Sequence, residues 1–469
     1  MKIVHVITRL ILGGAQENTL LTCREQARLG HDVTLLAGPP EGPEGSLVDA
    51  ARALPIRFVL VPPLVRAVDP WHDLEAYLDL AKHFRDIHPD VVHTHSSKAG
   101  ILGRLAARRA GVPRIVHTIH GLPFDEYQGR AANWLYRALE RRAARWSHRL
   151  IAVSADMADR ARAAGLAPRG DIAVVYSALD TEQFRTAAGE RDAVRQAWGA
   201  GPEDFVFLKV ARLFPLKGHE FVLPAFAEVA RRHPRALLVL AGDGILRPQL
   251  ESLAARLGVA ARVRFLGLVT PERMPGAIHA ADAVVHAGLR EGLARVLPQA
   301  GLCERPVVAY DIGGAREVVR DGENGFLLPA PLPRDVARLP WQGVAESATA
   351  STGGKGDGEK ADGEKGDCPL SRLFGKGGCT LFRGDGPEKG TAPFSQRPEE
   401  GTAPFSEAWR PLAEAMSRLA GDPAAARGMG RRWPAEVLAR FDCRAATREI
   451  MKAYDAAAGL CRCRFPPVR

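Results

Sequence analysis

No stretch of about 18 uninterrupted apolar residues occurs in the chain, so no segment is expected to span a membrane. Cysteine is scarce as well. The seven, Cys23, Cys303, Cys368, Cys379, Cys443, Cys461 and Cys463, are odd in number and contain no C-x-x-C pair. That spacing speaks against both a disulfide framework and a zinc site, and it fits a reducing cytoplasm. A secretory leader is not expected either. The apolar run Ile3 to Ile7 has only a buried strand's length before Thr8 and Arg9 interrupt it.

What the chain does have is length, apolar content and positive charge. Its 469 residues, 46% hydrophobic, can bury sizeable cores and favour two domains over one. The formal net charge of +10 suits nucleic acid, an anionic membrane surface or phosphorylated small molecules, and does not choose among them. Strand-like runs at Ile3 to Ile7, Val33 to Ala37, Asp90 to His93, Arg114 to His117 and Leu150 to Val153 alternate with helical stretches at 15–28, 99–110 and 131–145. A second series runs through Phe205 to Val210, a helix over 221–232, Ala236 to Leu240, Val263 to Gly267, Ala283 to Val285 and Pro306 to Ala309. Such alternation predicts parallel sheets covered by helices on both faces, with ligands at the carboxyl ends of the strands.

The reading is an α/β chain of two doubly wound, Rossmann-like domains facing a cleft: 1–185, then 200–340 continued by 407–440, joined near residues 178–200. Residues 341–406, rich in Gly, Lys, Asp, Glu and Ser, read as a disordered low-complexity insertion with a near-duplicate, Gly390 to Ser395 against Gly401 to Ser406. A surface loop tolerates such growth because closure entropy rises slowly with length. Helical periodicity resumes over 409–419 and 434–454, and residues 441–469 are expected to form a helix and tail that crosses back to the first domain.

Two segments carry chemistry. In Arg212-Leu213-Phe214-Pro215-Leu216-Lys217-Gly218, directly after a strand, two cations flank a loop and a glycine lets the backbone come close. A diphosphate could be held there, since Arg binds phosphate oxygens bidentately and Lys adds a point charge. The alternative is a solvated basic loop. In Glu291-Gly292-Leu293, at an expected strand-to-helix switch, a carboxylate beside free helix amides could bind vicinal hydroxyls of a sugar. Gln299, about two helical turns on, should share its face. The alternative for Glu291 is a helix N-terminal charge favoured by the dipole. His93 and His95 share a strand and are expected to alternate faces, so that one of them reaches the cleft; structural histidines are the commoner case.

Ala211 to Gly218, Ala241-Gly242-Asp243-Gly244, Val263 to Gly267, Glu291 to Leu293 and Pro306 to Ala309 followed by Gly313-Gly314-Ala315-Arg316-Glu317 resemble, in that order, family-4 retaining glycosyltransferases of the GT-B fold. Gly13-Gly14-Ala15-Gln16 and His117-Thr118-Ile119-His120-Gly121 are similar to that family's first domain. The resemblance implies that Arg212 and Lys217 bind the donor diphosphate, that Glu291, Gly292 and Leu293 meet the donor sugar, that Gly14 offers an amide near phosphate and acceptor, and that His120 reaches the reacting sugar. His120 as a general base or a structural turn residue remains open. Leu266, with its neighbours, would offer backbone groups to the base, and Gly244 belongs to the same donor side. Gln299 stands where the family often has a second glutamate for the ribose, and Ala211 where a glycine is common. The implied reaction needs no metal and no cofactor beyond a nucleotide sugar such as a UDP-sugar. The acceptor would be a glycan or lipid-linked saccharide in polysaccharide or lipopolysaccharide synthesis.

Residues 128–149 hold six arginines, Arg130, Arg137, Arg141, Arg142, Arg145 and Arg149, against the single acid Glu140, interleaved with Trp134, Leu135, Tyr136, Leu139 and Trp146. A basic helix with interfacial aromatics suits an anionic membrane and would place a cytoplasmic enzyme at the inner face of the cell membrane. The competing reading packs Trp134, Leu135 and Leu139 on their own domain. No nucleic-acid motif accompanies the arginines. A catalytically inactive nucleotide-sugar-binding scaffold and an epimerase on the same fold are the other functions open to this sequence.

Overall fold

The apolar runs at Lys2–Ile7 and Phe205–Val210 become the founding strands of two separate sheets, each buried on both faces. The structure is a computed structural model that describes residues 1–42, 44–167, 172–336 and 407–460. The expected insertion at 341–406 lies outside these residues, as does the end of the tail.

In the first sheet, β1 (Lys2–Ile7), β2 (Asp32–Ala37), β3 (Arg57–Leu60), β4 (Val91–His95), β5 (Arg114–Ile119), β6 (Arg149–Ala152) and β7 (Ala173–Val174) lie in the order β3-β2-β1-β4-β5-β6-β7. In the second, β8 (Phe205–Val210), β9 (Ala236–Ala241), β10 (Val263–Gly267), β11 (Ala283–His286), β12 (Val307–Tyr310) and β13 (Gly325–Leu328) lie in the order β10-β9-β8-β11-β12-β13. Every strand pairing is parallel. Each sheet therefore reverses its winding once, between β1 and β4 and between β8 and β11, and a crevice opens beyond the strand ends at each reversal.

Strand alternation sorts the core. Val4, Val6 and Val92 face the helices Pro70–Ile87 and Ser97–Arg109, while Ile3, Val91 and Val116 face the opposite way. That opposite face is covered by the last helix, Cys443–Leu460, through Ala446, Ile450, Ala453, Tyr454 and Ala457. In the second sheet Phe205 and Phe207 pack to one side and Val206 and Leu208 to the other.

Several boundaries differ from the sequence reading. The connection near 178–200 is largely helical, with Thr181–Thr186 and Arg191–Trp198. Its Arg191 and Arg195 hold Asp282 at 2.5 and 2.9 Å, which fastens the connection to the second lobe. The stretch 434–454 is two helices, Ala435–Ala439 and Cys443–Leu460. They break where the chain crosses between lobes, because Phe441 O accepts from Leu179 N at 2.7 Å and Cys443 N donates to Leu179 O at 3.0 Å. His93 and His95 do not alternate. Two residues apart on a strand, they share a face, with ring centroids 4.3 Å apart.

Among the described residues no helix is long and apolar enough to cross a membrane. The helix Arg130–Ala144 buries Glu140, Ala143 and Ala144 and turns Trp134, Leu135 and Leu139 outward, Trp134 being 72% exposed. The expected packing of those three side chains on their own domain is thus not what the chain does. A second outward stripe, Trp71, Leu74 and Leu78, stands on Pro70–Ile87, and both helices pack against Ser97–Arg109.

Candidate active site

The loop leaving β8 turns sharply because Gly218 sits at φ +72°, where a Cβ would fall 1.8 Å from Ala287 O. This close approach lets Leu216 O accept from Leu289 N at 2.9 Å, joining the exits of β8 and β11 at the second sheet's reversal. Lys217 Nζ consequently reaches Glu291 Oε1 at 2.7 Å. Gly218→Ala is expected to destabilise the chain by more than about 2 kcal/mol, read from urea unfolding, because the substitution meets backbone on a left-handed turn; a midpoint unchanged from wild type would refute the packing argument.

Glu291 does not stand at a helix N-terminus, as its sequence suggested. The helix that follows is Val296–Leu302, and Glu291 lies in the irregular segment before it, so Glu291 and Gln299 do not share a helix face. The segment is held by Gly313 at φ +58°, whose missing Cβ would sit 2.6 Å from Glu291 O. Burial alone would raise the Glu291 pKa, but Lys217 and His286 outweigh it and hold the carboxyl below its ordinary value. His286, 3.8 Å from Glu291, is itself pushed down to about 4 by burial. Beneath them, burial lowers Lys209 to about 7 and raises Glu220 to about 7.

The first lobe contributes His120, just past β5, and Gly14, the first residue of the helix Gly14–Arg28. Burial, and then Arg295, lower the His120 pKa to about 4, so its imidazole is neutral near pH 7. Gly292 meets this turn closely, with its missing Cβ 2.6 Å from His120 O, and its carbonyl accepts from Ser154 Oγ at 3.1 Å. Further ties cross the cleft: Arg290 to Asp125 at 2.7 Å, Arg295 to Glu17 at 2.5 Å, and Arg212 to Glu44 at 3.0 Å. Glu317 accepts from Ala155 N and Asp156 N at 2.9 and 3.0 Å, which caps the first lobe's helix Ala155–Ala163 from the second lobe.

These elements enclose a cavity of about 760 Å³. Gly14, His120, Arg212, Lys217, Glu291, Gly292, Leu293 and Gln299 all line it. Gly244 and Leu266 do not. Gly244 closes a turn, at φ +155° with its missing Cβ 2.5 Å from Leu213 O, and Leu266 packs on the core beside β8. Gly242, Leu268 and Val269 line the wall in their place.

Sequence reasoning missed Arg9, Arg24, Arg66 and Arg295, which bring further positive charge to the same cavity. Arg9 alone carried a local signal, since it follows β1 at the first sheet's reversal. Arg9 and Arg212 both contact the buried carboxylate of Glu44, at 3.3 and 3.0 Å, so two guanidiniums from different lobes already converge on one anionic group. A diphosphate would complement the same pair. Among the described residues the one group of side chains close enough to share a metal ion is His5, His93 and His95, behind His120 in the first lobe's interior.

Residues 13–178 match the family model described as glycosyl transferase 4-like domain, and residues 190–339 the one for glycosyl transferases group 1. The chain is 29% identical over 331 residues to the UDP-Gal:alpha-D-GlcNAc-diphosphoundecaprenol alpha-1,3-galactosyltransferase of Escherichia coli, covering 70% of this chain and 84% of that protein. It is 31% identical over 360 residues to the D-inositol 3-phosphate glycosyltransferase of Rhodococcus erythropolis, covering 72% and 79%. The crystal structure of HepE from Anabaena with UDP and glucose superposes with a TM-score of 0.68 at 20% identity, over 96% of this chain and 98% of that one.

Proposed function

The chain belongs to the group 1 glycosyltransferases of the GT-B fold, and from that premise we propose that it is a retaining transferase. It moves a hexosyl or N-acetylhexosaminyl unit from a nucleotide sugar, in the first instance a UDP-sugar, to a glycan or lipid-linked saccharide. The observation that carries this reading is one cavity that meets both sheet reversals, with Arg212, Lys217 and Glu291 on one wall and His120 and Gly14 on the other.

Arg212 and Lys217 stabilise the charge that develops on the departing diphosphate, which is where fixed cations in a recessed site act most strongly. Glu291, kept ionised, accepts from hydroxyls of the donor sugar, and Gln299 can accept from one ribose hydroxyl and donate to the other. The bond from the anomeric carbon to the diphosphate breaks, and the bond to the acceptor oxygen forms on the same face. The acceptor's proton passes to the leaving phosphate, so no carboxylate nucleophile is required. The lobes contribute positioning and exclusion of water. No metal is needed in this scheme, so chelators should leave the rate unchanged.

The acceptor is the more open half. The names of the two relatives above specify a diphosphoundecaprenol saccharide and an inositol phosphate. A lipid-linked acceptor is favoured here by the outward stripe of Trp134, Leu135 and Leu139 beside the arginines of 128–149. On this reading the protein works in the cytoplasm, at the inner face of the membrane.

The test is nucleoside diphosphate release from a panel of UDP-, GDP- and ADP-sugars, with and without membrane lipid extract, and the anomeric configuration of the product by NMR. Release with one donor, stimulated by lipid, with configuration retained, is expected. An inverted product would overturn the retaining assignment, and silence across the panel with nucleotide binding intact would favour an inactive scaffold. Trp134→Ala with Leu135→Ser should weaken binding to anionic vesicles by about tenfold while leaving release on a water-soluble acceptor unchanged; equal vesicle binding would remove the membrane contact from the proposal.

A further inference from the structure

Behind His120 the space between the first sheet and the last helix is filled by imidazoles. His5, His93 and His95 come from one face of β1 and β4, the face that Cys443–Leu460 covers, and all are buried. His120 Nε2 lies 3.1 Å from His95 Nδ1, His95 Nε2 lies 3.0 Å from His5 Nδ1, and His5 Nε2 lies 2.8 Å from Gln26 Oε1. Gln26 Nε2 then donates to Tyr454 OH at 3.1 Å. Tyr454 OH is 2.7 Å from His93 Nδ1, and His93 Nε2 is 2.7 Å from Thr118 Oγ1. Five groups, His120, His95, His5, Gln26 and Tyr454, thus form one unbroken line from the cleft to the last helix, and His93 and Thr118 continue it.

The chemistry of the end groups gives that line a direction. An amide oxygen can only accept, so His5 must carry its proton on Nε2 and leave Nδ1 bare. The bare Nδ1 accepts from His95 Nε2–H, which leaves His95 Nδ1 bare in turn, and this accepts from His120 Nε2–H. On the other branch Tyr454 accepts from Gln26 and passes its own proton to His93 Nδ1, so His93 donates from Nε2 to Thr118. Every imidazole is neutral in this arrangement, as burial requires: it takes His5 down to about 4 and His93 and His95 well below the ordinary value. Turning the Gln26 amide round would reverse every bond. What opposes the turn is Met451 Sδ, 3.8 Å from Gln26 Nε2, because a thioether accepts and cannot donate. The last helix, through Met451, therefore sets the amide.

We propose that this hydrogen-bonded line fixes His120 as the Nε2–H tautomer and presents its bare Nδ1 to the cleft, so that His120 acts as an acceptor toward a hydroxyl of the bound sugar and never as a donor. Met451, Gln26, His5 and His95 are positioning residues for that nitrogen. The proposal rests on the reading that His120 meets the sugar, but the tautomer itself is a property of the protein without substrate. The His5, His93 and His95 nitrogens, close enough to share a metal, are already satisfied by each other and by His120, Gln26, Tyr454 and Thr118, so the line needs no ion.

The test is long-range proton–nitrogen NMR on the full chain labelled with 15N-histidine, with His120 assigned through a His120→Gln sample. A protonated Nε2 and an unprotonated Nδ1 at His120 are expected. A protonated Nδ1, or metal at one equivalent by elemental analysis with His5, His93 and His95 shifted on its removal, would overturn the proposal. Met451→Leu removes the acceptor that opposes the turned amide, and the His120 signals should then average between tautomers while kcat falls about tenfold at nearly unchanged donor KM. Should Met451→Leu unfold the helix, Gln26→Met removes the amide itself and reads the same averaging, and an unaltered tautomer in a folded variant would refute the proposal. Absence of any transferase activity, with the tautomer as expected, would remove the function proposed above and leave this assignment standing.

Discussion

Replacing Lys217 by alanine is expected to lower kcat for nucleoside diphosphate release by about two to three orders of magnitude, as loss of one fixed group facing a developing charge does elsewhere. A second effect should accompany it. Lys217 is the partner that, with His286, keeps the recessed Glu291 carboxyl below its ordinary pKa, against burial. Without the ammonium, burial prevails and the Glu291 pKa rises. An ionised Glu291 is required for hydroxyl binding, so activity that persists to low pH in the wild type should be lost in Lys217→Ala as pH falls through the higher value. The acid limb of the pH–rate profile must therefore move to higher pH. Glu291→Ala should be comparably impaired, and Lys217→Ala with Glu291→Ala should fall well short of the product of the two losses, because the pair at 2.7 Å acts as a unit. Strict multiplicativity, with no movement of the acid limb, would mean that the two residues work independently.

The largest stability effect is expected far from the cleft. Arg104 and Glu140 are both buried and pair at 2.8 Å, joining Ser97–Arg109 to Arg130–Ala144, and Arg104 Nε also donates to Gly100 O at 2.6 Å. Arg104→Met leaves the Glu140 carboxylate without its partner in the interior, which costs about 3 to 5 kcal/mol in comparable pairs. Arg104→Met combined with Glu140→Leu removes both charges and should recover most of that loss. Urea unfolding followed by tryptophan fluorescence measures both. A single variant as stable as wild type would show that the pair contributes little, and a double variant no better than the single would show that packing rather than charge is at stake.

The periodicity of the sequence was sufficient for two parallel sheets because most strands hold a short apolar run bounded by glycine or charge, as at Lys2–Ile7 and Ala236–Ala241, while β3, β7 and β13 escaped it. The motifs likewise pointed to Arg212, Lys217, Glu291 and His120, since each follows a strand end at or beside a reversal of its sheet. Helix boundaries were less legible. Glu291 reads as a helix start because an acid and a glycine precede a long apolar stretch, yet its segment is held open by Gly313 and by Lys217, contacts that no local pattern reveals. Glu44 was invisible for a similar reason: it lies in a loop, and its significance comes from pairing with Arg212 across the cleft. His93 and His95 were misassigned by a periodicity error, while the contact of His93 with Tyr454 joins residues 361 positions apart.

The dependence of the first sheet on the last helix also has a consequence during synthesis. Ile3, Val91, Val116, Ile151 and Val175 have all been translated well before Ala446, Ile450, Ala453 and Ala457, the side chains that cover them. At about 5 to 20 residues per second, the nascent first lobe must wait tens of seconds on the ribosome with one apolar face uncovered. Chaperone engagement should accordingly be longest in that interval, and a chain terminated before Cys443 should emerge as a client that cannot be released rather than as a smaller folded protein.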